Sequence, residues 1–91
     1  MIRQSVLVTN KLGVHARAAA KLVRLASTFS SEIHLSREDE NQQIDSKSIL
    51  GVLMLAASMG TRLVLSIEGP DEAEAGEAIG RLFEAKFGEE N

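Results

Sequence analysis

The chain has 91 residues, 44% hydrophobic and 25% charged, which fits a single domain over residues 1–91 and leaves no room for a deep substrate cavity. A net charge of −3 with 3% aromatic residues argues against a nucleic-acid partner. The lack of cysteine excludes disulfides and thiolate metal sites, and two histidines far apart in sequence make a poor metal site, so neither metal nor cofactor is expected. No apolar run is long enough to insert into a membrane and no signal-peptide pattern opens the chain, so a cytoplasmic location is expected.

Residues 2–9 place Ile2, Gln4, Val6 and Val8 in one phase, the pattern of a half-buried strand. Gly13 then turns the chain, and residues 16–29 carry Ala19, Leu22, Val23, Ala26 and Phe29 at helical spacing. His15 stands at that junction, where a helix's unpaired N–H groups favour an anion. Arg17 adds a permanent cation two residues on. A nucleophile, an anion cradle and a counter-charge thus fall within three residues, although a capping or surface histidine would look the same. Arg17, Lys21 and Arg24 share this helix and would suit an acidic partner protein, or form a solvated face.

Residues 32–36 alternate again, with Ile33 and Leu35 inward and His34 facing solvent; residues 37–41 connect to a short strand at 42–45. A second helix is expected over 48–58, opened by Ser48 or Ser46 as cap and ended by Gly60. Residues 61–67 alternate most clearly, with Leu63, Leu65 and Ile67 on one face. Gly69-Pro70-Asp71-Glu72 opens a third helix with proline at its first position, and Ala75, Ile79, Leu82, Phe83 and Phe87 form its buried stripe. Gly76 and Gly80, one turn apart, either allow close packing or are tolerated. The order βαββαβα, with strands buried on one face only, predicts an α/β (α+β) open-faced sandwich: a four-stranded antiparallel sheet with three helices on one side.

Two motifs, Gly13-Val14-His15-Ala16-Arg17 and Lys47-Ser48-Ile49-Leu50-Gly51-Val52-Leu53, give the whole chain a resemblance to the histidine-containing phosphocarrier (HPr) family of the bacterial phosphoenolpyruvate-dependent phosphotransferase system. The resemblance implies that His15 accepts a phosphoryl group, on its δ nitrogen, from phosphorylated Enzyme I and passes it to an Enzyme IIA domain. Arg17 and the backbone of Ala16, Arg17 and Ala18 would steady the phosphate. Ala18 departs from the proline common in the family and brings an extra N–H to the helix's first turn.

The second helix is too apolar to bury all round, and an exposed apolar patch marks a partner site. The resemblance makes Ile49, Leu50, Leu53 and Met54 a docking surface, together with Arg24, and leaves Val52 and Leu55 in the core. It also implies regulatory phosphorylation of Ser48 by an HPr kinase/phosphorylase. The protein would then be a carrier with no turnover of its own, and a monomer. The nitrogen-branch paralogue, with a regulatory acceptor, is the nearest alternative. A pure binding module would not need His15, and an independent enzyme would need a second acid–base group and a substrate pocket.

Overall fold

Alternation along the strands decides which face of the sheet is covered. The computed structural model describes residues 1–90 and runs β1 (Ile2–Leu7), α1 (Ala16–Ala26), β2 (Glu32–Arg37), β3 (Ile44–Asp45), α2 (Ile49–Met54), β4 (Arg62–Glu68) and α3 (Glu72–Glu84), followed by a 3₁₀ turn at Lys86–Gly88. The four strands form one antiparallel sheet in the order β1-β4-β2-β3, with Val6 opposite Leu63 and Leu35 opposite Leu65. Val6, Ile33, Leu35, Leu63, Leu65 and Ile67 point to the helices and join Leu22, Val52, Ile79 and Phe83 in one core. Fully burying such a side chain contributes about 1.5–3 kcal/mol, so this face dominates stability. The opposite face carries Arg3, Ser5, His34, Ser36, Val64 and Ser66. His34 sits there, opposite Ser66 and Asp45, as its strand phase predicts.

Several boundaries differ from the sequence pattern. The first strand ends at Leu7 and the third is two residues long. Helix α1 stops at Ala26, three residues short of Phe29, where Thr28 turns its hydroxyl onto the carbonyl of Leu25 at 2.7 Å. Helix α2 ends at Met54 instead of Ser58, because Ala56 takes φ 50° and the Arg37 guanidinium, reaching from β2, donates to the carbonyls of Leu55 at 3.2 Å and Ala56 at 3.4 Å. Gly60 is therefore no helix cap. It turns the chain into β4, its N–H on the carbonyl of Val8 at 2.7 Å and its φ at 92°. Ser48, not Ser46, caps α2; Ser46 is buried.

Helix α3 begins two residues later than a proline start requires. Asp71 is its N-cap, and Pro70 lies outside. The Asp71 carboxylate bonds nothing in its own helix. It accepts instead from the backbone N–H of Ser30 at 2.8 Å, the N–H of Ser31 at 2.9 Å and the Ser31 hydroxyl, tying α3 to the turn before β2. Both helical glycines lie close to the Gln4 amide: a Cβ would sit 3.0 Å from its Oε1 at Gly76 and 3.2 Å from its Nε2 at Gly80, and the amide donates to the Gly76 carbonyl at 3.0 Å.

The hydroxyl of Ser31 and the amide of Ser30 hold the Asp71 carboxyl below its ordinary 3.8. A carboxyl lowered in the folded state stabilises the fold above its unfolded pKa, and that contribution is lost as the pH falls through the folded one. Asp71→Asn is therefore expected to lower Tm at pH about 7 and to flatten the loss of Tm on acidification below pH about 4. Thermal unfolding at both pH values checks this, and parallel acid profiles for variant and wild type would contradict it.

Candidate active site at the start of the first helix

His15 is the N-cap of α1, with φ −78° and ψ −178°. Serine or aspartate usually fills this position with a side-chain oxygen. Here His15 Nδ1 takes that part and accepts the backbone N–H of Arg17 at 3.3 Å. A nitrogen that accepts carries a lone pair, so the ring proton belongs on Nε2. Nε2 in turn hydrogen-bonds the carboxylate of Glu89, 74 residues along the chain. The His15 hydrogen bond, helped by a second from Asn10, holds the Glu89 carboxyl below its ordinary 4.5, with the charge of Lys21 adding to the effect.

The loop before His15 is fixed from three sides. Gly13, at φ 69°, donates to the carbonyl of Asn10 at 3.1 Å. The fully buried Asn10 returns its amide to the Gly13 carbonyl at 2.7 Å and also reaches Glu89 Oε1 at 2.9 Å. Val14 donates to the carbonyl of Ala57 at 2.9 Å, which pins the His15 loop to the segment leaving α2. The imidazole is thus held at both nitrogens on a loop tied to its neighbours, partly open to solvent.

His15, Ala16 and Arg17 line one surface cleft together with Lys11, Leu12, Glu89 and Glu90. Arg17 is exposed, and its guanidinium makes no ion pair among the described residues, so it is available to an incoming anion. Ala18 is buried within the first turn, and Ala19 donates to the carbonyl of His15 at 2.8 Å, which starts the helix ladder. A lone pair beside a helix N-terminus and a free guanidinium can attack an anionic electrophile such as a phosphoryl group and hold the product.

The other residues singled out in the sequence lie elsewhere. Arg24 is exposed in the last turn of α1, about 13 Å along the helix from His15 at 1.5 Å per residue. Lys21 is not free, since its ammonium donates to the carbonyl of Phe87 at 2.6 Å. Ser48 caps α2 by accepting the N–H of Gly51 at 3.2 Å. Ile49, Leu50, Leu53 and Met54 are exposed, Leu50 and Met54 by 67% each, whereas Val52 and Leu55 are buried as expected. Leu12 at 70% and Met59 at 58% add apolar surface that the sequence pattern did not flag. Asn10 and Glu89 were missed as members of the site, because no local pattern links a residue near one end of the chain to one near the other.

A protein-family model described as "PTS HPr component phosphorylation site" matches residues 2–85. The phosphocarrier protein HPr of Cupriavidus necator is 47% identical over 89 residues, 98% of each chain. The phosphocarrier protein NPr of Escherichia coli is 39% identical over 98% of each. A crystal structure of HPr from Thermoanaerobacter tengcongensis superposes with a TM-score of 0.92 at 45% identity, covering all of both chains. The sheet, its helices and these similarities define a small phosphocarrier of the phosphotransferase system. The chain belongs to the HPr family.

Proposed function

We propose that His15 Nδ1 accepts a phosphoryl group from phosphorylated Enzyme I, which draws it from phosphoenolpyruvate, and passes it to an Enzyme IIA domain. The observation that carries this is the ring's fixed state: Nδ1 bears the lone pair at the start of α1, and Nε2 is bonded to Glu89. Transfer between two proteins needs mainly alignment and charge neutralisation, which Arg17 and the N–H groups of Ala16 and Ala18 supply. The site stays open, so the group can leave again. The protein is a carrier and a substrate of Enzyme I, with no catalytic turnover of its own. Incubation with Enzyme I, magnesium and phosphoenolpyruvate should add one acid-labile phosphoryl group by intact mass, and an unchanged mass would refute the reading.

Ile49, Leu50, Leu53 and Met54 form the docking surface for both partners. Their helix is followed by the segment that Val14 ties to the His15 loop, so one partner can cover the patch and reach the ring. Arg24 extends the surface for an acidic partner. Ser48, at the start of the same helix, is the site for an HPr kinase/phosphorylase. A phosphate at a helix N-terminus is tolerated by the fold, but it places negative charge beside the docking patch. Ser48→Asp is expected to slow phosphorylation of His15 by Enzyme I about tenfold, since like charge at an interface costs on-rate and affinity. Stopped-time mass spectrometry measures it, and a wild-type rate would remove Ser48 from the account. A nitrogen-branch role has less support, because identity is 39% to the NPr protein and 47% to the HPr protein.

A further inference from the structure

The chain beyond α3 takes a costly path to reach His15. Lys86 and Phe87 both adopt φ 56°, and Gly88 follows at φ 80°. A left-handed conformation is unfavourable for any residue with a Cβ, which then lies too close to the following carbonyl oxygen. Two holds offset that cost. The Phe87 ring is buried edge-on against Phe83, with centroids 5.0 Å apart, and the Phe87 carbonyl receives the Lys21 ammonium at 2.6 Å. The turn is closed by Gly88 N–H on the Ala85 carbonyl at 2.9 Å and Glu89 N–H on the Lys86 carbonyl at 3.0 Å. Its outcome is to lay the Glu89 carboxylate between two donors, the Asn10 amide at 2.9 Å and the Nε2–H of His15. Each oxygen of the Glu89 carboxylate thus has its own donor, Asn10 on Oε1 and His15 on Oε2.

We infer that Glu89 is a positioning residue for phosphoryl transfer: by holding Nε2–H it fixes the ring's tautomer and orientation and makes Nδ1 the reacting nitrogen. The inference rests on the reading of His15 as acceptor only for the reaction it serves. In that reaction the Nδ1 lone pair forms the N–P bond while the bond from phosphorus to the donor atom breaks, its electron pair leaving with the donor. No proton moves, because the single ring proton already sits on Nε2. Positive charge develops on the ring as the N–P bond forms, and the Glu89 carboxylate faces it at Nε2, as a carboxylate does behind a catalytic histidine. Onward transfer reverses the same steps, and the carboxylate acts on bond making and bond breaking alike.

Two variants and two readouts test this. At pH about 8.5, above the ordinary imidazole range, long-range ¹H–¹⁵N NMR should show the Nε2–H tautomer of His15 in the wild type and a mixture in Glu89→Ala. Glu89→Gln offers one acceptor oxygen where the carboxylate offers two, so its tautomer mixture should lie between those of the wild type and Glu89→Ala. With Enzyme I and phosphoenolpyruvate, Glu89→Ala should lower kcat for phosphorylation roughly 10- to 100-fold with KM little changed, as expected when a reacting group loses its alignment. Glu89→Gln should fall between. A wild-type kcat or an unmixed Nε2–H tautomer in Glu89→Ala overturns the inference. A wild-type protein that Enzyme I does not phosphorylate refutes the carrier reading itself, and the tautomer readout alone then decides whether Glu89 positions the ring.

Discussion

Replacing His15 with alanine is expected to abolish phosphoryl acceptance and leave the domain folded. The ring is only half-buried, and its structural work is the capping bond to the Arg17 N–H at 3.3 Å. Losing a helix N-cap costs about 0.5–2 kcal/mol. A small domain holds roughly 5–15 kcal/mol in reserve, so the fold survives. Glu89 loses one donor but keeps Asn10. No other residue of the cleft brings an imidazole to the α1 N-terminus, and His34 lies on the open face of the sheet. Intact mass after incubation with Enzyme I, magnesium and phosphoenolpyruvate should show no gain in His15→Ala, with an unchanged circular dichroism spectrum. A phosphoryl gain in the variant would place the chemistry on another residue.

Gly13→Ala is expected to damage both fold and site. Gly13 has φ 69°, and an added Cβ would lie 2.5 Å from the Ala57 carbonyl oxygen and 2.9 Å from Ser58 Cα. Both are backbone atoms and cannot swing aside as a flexible side chain would. The left-handed φ alone costs an alanine about 1–2 kcal/mol, and relieving the clash adds a similar amount. The total of about 2–4 kcal/mol corresponds to a fall in Tm of roughly 10–25 °C for a domain of this size. The segment pushed away is the one that receives the Val14 N–H at 2.9 Å, so the His15 loop shifts with it. Phosphorylation should therefore slow even at temperatures where the variant is folded. Thermal unfolding and the rate of mass gain measure the two effects, and a wild-type Tm would show that the loop tolerates a side chain here.

How legible the molecule was in its sequence depended on the range of the forces involved. Period-two alternation in β1, β2 and β4 reports burial on one face, and the sheet follows from it. The Leu63, Leu65 and Ile67 series is the clearest instance, with all three fully buried. Ends of helices were less legible, because partners distant in sequence set them. Arg37 stops α2 by taking the Leu55 and Ala56 carbonyls, and the serines at 30 and 31 draw the Asp71 carboxylate away from its own helix. Its spacing in the sequence makes Phe87 the last member of the α3 stripe. It is buried, but on the 3₁₀ turn, where its φ of 56° is outside any helical pattern. In the candidate site, His15 and Arg17 were legible because residue type and local spacing carry the signal. Glu89 and Asn10 were not, because Glu89 reaches His15 only through a turn held by Phe87 and Lys21, and Asn10 acts through Glu89 and the Gly13 carbonyl.

The most direct test of the account is to find the atom that carries the phosphoryl group. The ¹⁵N-labelled protein, phosphorylated with Enzyme I and phosphoenolpyruvate, is observed by long-range ¹H–¹⁵N and ³¹P NMR. Phosphorus should be bonded to Nδ1 of His15, with the proton kept on Nε2. Phosphorus on Nε2, or on any residue other than His15, would contradict it.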